Sequence, residues 1–320
     1  MVASVTASVA LGASAAASTT IETASFSPTG SNKIIYALVG CGATSPGDPN
    51  SVKYASTGGT GGEAMTLLDS VRTVNTNVKT SIWKLANPSS SSGTIWAQYA
   101  SSNDERWIIA VAVQDASGEN TIAYATANAV TTATVNATST TGELVLDFLS
   151  VLDGAGSGGS ITVGAGQTSI KELEGPGTGS STNISAFENA GISQETASGT
   201  PTTMSWTMNV GMDYGIHAFQ VLPAAAGPTI NTHPQNSTVY QGQTANFTIS
   251  ATGTGTLHYQ WKDDGSNVGT DSNSYTTAAT VLGDNGAQIT CVVTDDNGNA
   301  TSNAATLTVI PTASIAWLRG

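Results

Sequence analysis

GQTANFTISATGTGTLHYQWKDDG at residues 242–265 and DNGAQITCVVTDDNGNATSNAATLTV at residues 284–309 decide the fold. Apolar and polar side chains alternate through both stretches, and Gly, Asn or Asp cuts each run, as in short half-buried strands joined by tight turns. Asp264-Gly265 and Asn297-Gly298 supply residues that tolerate positive φ in two-residue hairpins. With the flanking sequence, strands are predicted at 237–240, 245–251, 258–262, 273–277, 288–294 and 303–309. So many short strands at close spacing mark a two-sheet sandwich.

This order of strands resembles the immunoglobulin-like domains of bacterial and bacteriophage surface proteins. In that resemblance Trp261 stands where the family buries its strand-C tryptophan, and Cys291 stands on the strand-F cysteine. Two positions depart from the pattern. No cysteine lies between Phe247 and Ala251, so the intersheet disulfide is missing, and Ile289 occupies the place of the family's tyrosine. The expected core of a domain at 229–310 is then Phe247, Ile249, Trp261, Ile289, Cys291 and Val293. Such a fold carries no function of its own.

Upstream, Leu222-Pro-Ala-Ala-Ala-Gly-Pro228 reads as a linker, placed at 224–228, because small residues and proline end a strand-like run there. Before it, strands are predicted at 19–26, 33–41, 80–85, 94–99, 107–113, 144–152, 204–208 and 214–222. Residues 63–87 carry apolar side chains at helical spacing, yet β-branched residues dominate the stretch and lose rotamer freedom in a helix. Two strands around Asn75-Thr76-Asn77 are the favoured reading. The pieces SIWKLANP, AGQTSI and MSWTMNVGMDYGIHAFQVLPA are similar to a jelly-roll-like sandwich of phage and bacterial surface proteins. The expected fold class is therefore all-β, with a jelly-roll-like β-sandwich at 19–223 followed by an immunoglobulin-like β-sandwich. A β-arm at 1–18 and a tail at 311–320 flank them.

Composition agrees and narrows the function. The 320 residues include 48 Thr, 37 Ser and 35 Gly, and 22 acidic against 9 basic side chains leave a net charge of −13. Such a chain offers no cationic surface for phosphate, so neither nucleic acid nor a membrane surface is an expected partner. The amino terminus has no Lys or Arg before Lys33, and Ala3, Val5, Ala7 and Val9 alternate with Ser and Thr. That is a strand period rather than a secretion signal. Cys41 and Cys291 fall in different predicted domains, and two lone thiols fit folding in a reducing cytoplasm.

The stock of chemistry is small. His217, His233 and His258 are the only histidines, and none has the Cys, His or Asp spacing of a zinc site. No nucleophile elbow, phosphate loop or dinucleotide fingerprint occurs. Glu143 with Asp147, and Glu172 with Glu174, are the carboxylate pairs a glycosidase would need, but solvated edges explain them as well. Asp295-Asp296-Asn297-Gly298-Asn299 has a calcium-like look without the ligand alternation of a calcium loop, and reads more simply as a hairpin tip. No catalytic residue, metal ligand or cofactor is assigned. Trp96 and Tyr99 could contribute to a glycan-binding face, but burial in a core is the favoured reading for aromatics on strands.

The ends carry the strongest interaction signal. Ile315, Trp317 and Leu318 lie on a tail with no evident core to join, and Val5 and Val9 lie on an arm suited to strand addition. The expected function is a non-enzymatic bacteriophage virion protein: a capsid decoration, head fibre or tail accessory subunit. It would bind other virion proteins and its own copies through the termini, with weak contact to host-surface glycans. The alternative is a carbohydrate-binding or adhesion module at a bacterial surface or outside the cell.

Overall fold

The computed structural model describes residues 2–11, 19–42, 49–55, 61–72, 78–100, 105–153, 160–173 and 187–312. The chain forms two compact units, Met1–Ala224 and Ala225–Gly320. The structure is all-β, and among the described residues no helix is long and apolar enough to cross a membrane.

The first unit runs through β1 (Ser4–Leu11), β2 (Thr20–Glu22), β3 (Ile34–Gly42), β4 (Ser51–Ala55), β5 (Glu63–Ala64), β6 (Thr66–Arg72), β7 (Val78–Ala86) and β8 (Thr94–Gln98). It continues with β9 (Glu105–Gln114), β10 (Ala116–Glu119), β11 (Ala123–Ala137), β12 (Leu144–Asp153), β13 (Ile161–Val163), β14 (Thr168–Leu173), β15 (Phe187–Thr196) and β16 (Thr202–Pro223). One antiparallel sheet has the order β1-β9-β3-β7-β6, a second β10-β16-β12-β15-β14, and a third β2-β8-β4-β5.

The first sheet is apolar on both faces, and this explains the layering. On β3, Ile34, Tyr36 and Leu38 face one core with Trp107, Ile109 and Val111 of β9, while Ile35, Ala37 and Val39 face another with Ile108 and Ala110. Continuous apolar strands need cover on both sides. Leu146, Phe148, Ile192 and Phe219 of the second sheet close the first core. Val52, Tyr54, Ile95 and Ala97 of the third sheet close the other. The unit therefore has more layers than a two-sheet sandwich, because its central strands have no solvent face to spare.

A further fold-back covers the outer face of the second sheet. The carboxy-terminal half of β16 pairs with β12, whereas its first half pairs with β13 and with the end of β11. Register shifts at Val130 and a positive φ of 49° at Ala129 mark the bend, and Asp213 Oδ1 accepts the Ala129 N–H there at 2.9 Å. Met204, Trp206 and Met208 thereby reach Val145, Leu149 and Ile216. Residues 66–72 and 78–86 pair antiparallel, and residues 73–77 between them lie outside the described residues.

The second unit comprises β17 (Thr229–Thr232), β18 (Ser237–Tyr240), β19 (Asn246–Thr248), β20 (Ser250–Thr252), β21 (His258–Asp263), β22 (Ser266–Val268), β23 (Ser274–Thr276), β24 (Gln288–Asp295), β25 (Gly298–Thr301) and β26 (Ala305–Ile310). A single 3-10 turn, Leu282–Asp284, precedes β24. The sheet β18-β26-β24-β21-β22 faces the pairs β17-β20 and β19-β23. Phe247, Ile249, Trp261, Ile289, Cys291 and Val293 are all buried in the core between them. Trp261 lies opposite Cys291 in the register and donates its indole N–H to Ser272 O at 2.8 Å, which satisfies the one polar atom of a fully buried ring. Cys41 and Cys291 are both buried.

Candidate functional site

The polar groups best placed for chemistry lie inside the first unit. Asp69 on β6, Thr80 on β7 and His217 on β16 meet where the first two sheets face each other. His217 Nδ1 is 3.0 Å from Asp69 Oδ2, and His217 Nε2 is 3.2 Å from Thr80 Oγ1. A carboxylate only accepts, so Nδ1 carries the hydrogen, which leaves Nε2 facing the Thr80 hydroxyl. The hydrogen bond from His217 holds the Asp69 carboxyl below its ordinary pKa. The order hydroxyl, imidazole, carboxylate is that of a nucleophilic triad. However, His217 is wholly buried and Thr80 nearly so, with Ile82, Phe148 and Phe219 in the surrounding core. A substrate has no approach to the hydroxyl, and the group acts as a polar tie between sheets.

Asp147 is the second constellation. It sits on β12 between Val145 and Leu149, fully buried on the face covered by the fold-back. Oδ1 accepts from Ser193 N at 3.0 Å and Ser193 Oγ at 2.9 Å, while Oδ2 accepts from Trp206 Nε1 at 3.0 Å and Gln167 Nε2 at 3.1 Å. Burial pushes the carboxyl up to about 7 against the opposing pull of these four donors. Glu143 is not its partner in acid–base work. Glu143 stands in the turn just before β12, and four residues of extended chain separate the two by roughly 13 Å, too far for a retaining or an inverting pair. Glu172 is exposed and accepts the Ser169 hydroxyl at 2.6 Å, and Glu174 lies outside the described residues.

A third group spans the first two sheets. Glu119 on β10 accepts from Lys84 Nζ at 2.8 Å and from Tyr36 Oη at 2.8 Å. Burial, aided by the Glu119 charge, raises the Tyr36 phenol above its ordinary pKa, so it stays a donor.

The two glycan candidates part company. Tyr99 is 3% exposed, donates to Gly40 O at 3.0 Å, and carries the Arg106 guanidinium 4.3 Å from its ring. It is therefore a core residue and not a sugar platform, because it follows β8 directly and continues the inward alternation of Ile95 and Ala97. Trp96 points the other way. The alternation on β8 buries Ile95 and Ala97 and leaves Trp96 half-buried on the outer face, opposite Glu22 on β2 and Lys53 on β4. Lys53 Nζ lies 5.8 Å from the Trp96 ring centroid.

The arm expectation also changes. β1 is not a free arm: it pairs antiparallel with β9 over its length, Val5 opposite Val113 and Val9 opposite Ala110. A bulge between Val5 and Ala7 turns Val5 into one core and Ala7 into the other. An alternating strand is best satisfied by its own sheet when that sheet has an unpaired edge. What remains for a partner is the outer edge of β1. Ile315, Trp317 and Leu318 lie outside the described residues.

In the second unit, Asp295 accepts from Thr254 N at 2.9 Å, Asn297 N at 2.8 Å and Gly298 N at 3.0 Å, and the Thr254 contact leads the lowering of its pKa. This carboxylate holds two loops by their backbones, as a hairpin tip requires. His258 Nδ1 lies 2.6 Å from Asp271 Oδ2 with both side chains exposed, and His233 Nδ1 accepts from Asn303 N at 3.1 Å. Among the described residues no group of three or more His, Cys, Asp or Glu could hold a metal ion.

Sequence reasoning passed over Thr80 and Asp69 entirely. A signal for the other two centres was present: Asp147 and His217 are lone ionisable residues inside the continuous apolar runs LVLDFLSVL and YGIHAFQV.

Residues 228–309 match the immunoglobulin I-set domain family, so the chain carries a C-terminal immunoglobulin domain. Among solved structures, Duf (Kirre) D1 is similar at 18% identity over 27% of this chain and 100% of that chain, with a TM-score of 0.24. Titin domain M7 is similar at 25% identity over 27% of this chain and 97% of that one, with a TM-score of 0.24. The twitchin kinase region from C. elegans is similar at 20% identity over 30% of this chain and 18% of that one, with a TM-score of 0.25. Comparison with curated protein sequences gives no match.

Proposed function

We propose that the chain is a non-enzymatic structural protein of a bacteriophage virion, a capsid decoration, head fibre or tail accessory subunit built from a jelly-roll-like unit and an immunoglobulin domain. The observation that carries this reading is where the polar chemistry sits. Thr80, His217 and Asp147 are enclosed, Asp69 is partly exposed beside them, and all four spend their hydrogen bonds on holding layers together. The surface instead offers the outer edge of β1 to another strand. Assembly then uses strand addition along β1 and apolar docking of Ile315, Trp317 and Leu318, with other virion proteins and copies of the chain as partners. The acidic surface resists adventitious contact. Mass spectrometry of purified particles tests this: stoichiometric peptides of the chain are expected, and their absence from virions sinks it.

A second reading is an adhesion or carbohydrate-binding module at a cell surface, and Trp96 is the observation in its favour. A half-exposed indole between Glu22 and Lys53 has the stacking face and polar neighbours that a sugar needs. Glycan-array binding that Trp96→Ala abolishes would support this module, and a silent array would retire it.

A further inference from the structure

Four of the large apolar side chains left exposed gather at one end of the second unit: Tyr240 (53%), Val281 (55%), Leu282 (48%) and Ile310 (39%). The backbone brings them together. Tyr240 and Ile310 are partners in the parallel pairing of β18 with β26. Thr280 Oγ1 donates to Tyr240 O at 3.3 Å, Gly242 N donates to Thr280 O at 2.8 Å, and Val281 and Leu282 follow directly. Asn285 Oδ1 accepts from Val309 N at 2.9 Å, fixing the 3-10 turn against β26.

Carboxylates rim this surface. Asp284 Oδ2 accepts from Val281 N at 2.8 Å, and Asp264 Oδ1 accepts from Gln288 N at 2.9 Å. Asp263 is near enough to both for their charges to add to burial in raising its pKa. The chain enters the unit at the far end of β24, where Gly227 packs against Gly298, so this surface is at the opposite pole from the linker. An exposed apolar patch with a polar rim marks an interaction site.

We propose that this pole is the docking surface for the 313–320 segment of a second copy of the chain. The inference rests on the assembly role proposed above for that segment and adds the surface that receives it. The segment's sequence has the matching chemistry: Ile315, Trp317 and Leu318 for the apolar patch, then Arg319 for the acidic rim, with no acidic residue. The source is a second copy because of how the chain leaves. Pro311 restricts Ile310 to an extended backbone, and Pro311 and Thr312 are both exposed, so the chain leaves β26 without packing back onto its own patch there. The donor segment leaves the chain just after Ile310, itself part of the acceptor pole, so two copies can exchange their segments reciprocally and close as a dimer.

The test uses the full chain in light scattering across a dilution series, beside a labelled synthetic peptide of residues 311–320 added to a chain truncated after Thr312. Concentration-dependent self-association is expected, and Leu282→Asp and Trp317→Ala should each weaken it about tenfold or more. The peptide should bind the truncated chain and lose that binding to Leu282→Asp. Leu282 is an exposed loop residue, so its substitution leaves the core intact. A full chain that stays monomeric throughout, while the peptide binds only the truncated chain, overturns the second copy in favour of the chain's own tail. Failure of the peptide to bind overturns the docking surface. Peptide binding with no chain in virions would defeat the virion reading and leave the surface standing.

Discussion

Trp206 donates its indole N–H to Asp147 Oδ2 at 3.0 Å, joining the folded-back half of β16 to the sheet beneath it. The ring fills space as well, since it packs directly against Gly191 of β15. Trp206→Phe keeps most of the ring and removes the donor. The substitution leaves a fully buried carboxyl oxygen without one of its donors, so a loss of about 1–3 kcal/mol is expected in urea unfolding.

Gly191 tests the same contact from the other side. A Cβ there would clash with the Trp206 ring in a layer closed on both sides. Gly191→Ala should destabilise the unit by about 1–3 kcal/mol, the ordinary range for overpacking, and disturb the Trp206 near-ultraviolet signal. A neutral effect would mean that the fold-back yields easily.

Asp147 gives the unit a pH dependence of unusual sign. Its carboxyl is raised from 3.8 to about 7 in the folded chain, so folding favours the protonated form. The stabilisation is complete below the unfolded value, is lost as pH rises through about 7, and changes no further above that. Urea midpoints of the first unit should therefore fall between about pH 4 and about pH 7, and Asp147→Asn should flatten that slope.

Asp69 slopes the other way. Its hydrogen bond from His217 lowers its pKa, so its contribution is present above 3.8 and is lost as pH falls through the lowered value. Asp69→Asn should cost about 1 kcal/mol at neutral pH, a modest figure because the carboxylate is partly solvated. The gap from the parent should close in acid.

Cys291 should be inert while the chain is folded. Burial pushes its thiol up to about 11, and Cys41 is buried too. A thiol reagent should label neither cysteine in native buffer and both in denaturant.

The immunoglobulin unit was legible because its cues are local: alternation, Asp-Gly and Asn-Gly turns, and one tryptophan opposite one cysteine. The first unit hid more. β11 escaped notice because AYATANAVTTATVNA offers mostly alanine to the core, with little contrast between its faces. β1 was visible as a strand, but the edge of β9 that takes it is about 100 residues away. The Asp69–His217 tie spans 148 residues, a distance at which no spacing rule operates. Periodicity reports which face is wet, not which strand lies beside it.

β16 carries two cores on one uninterrupted strand, with Trp206 and Met208 in one and Phe219 and Val221 in the other. It also pairs with β10, β11, β12 and β13. The outer layer thus cannot lift away while the strand beneath it stays whole. Opening either layer loosens the other, so the amide protons of β11 and β12 should exchange with solvent through one shared event and at one rate-limiting free energy.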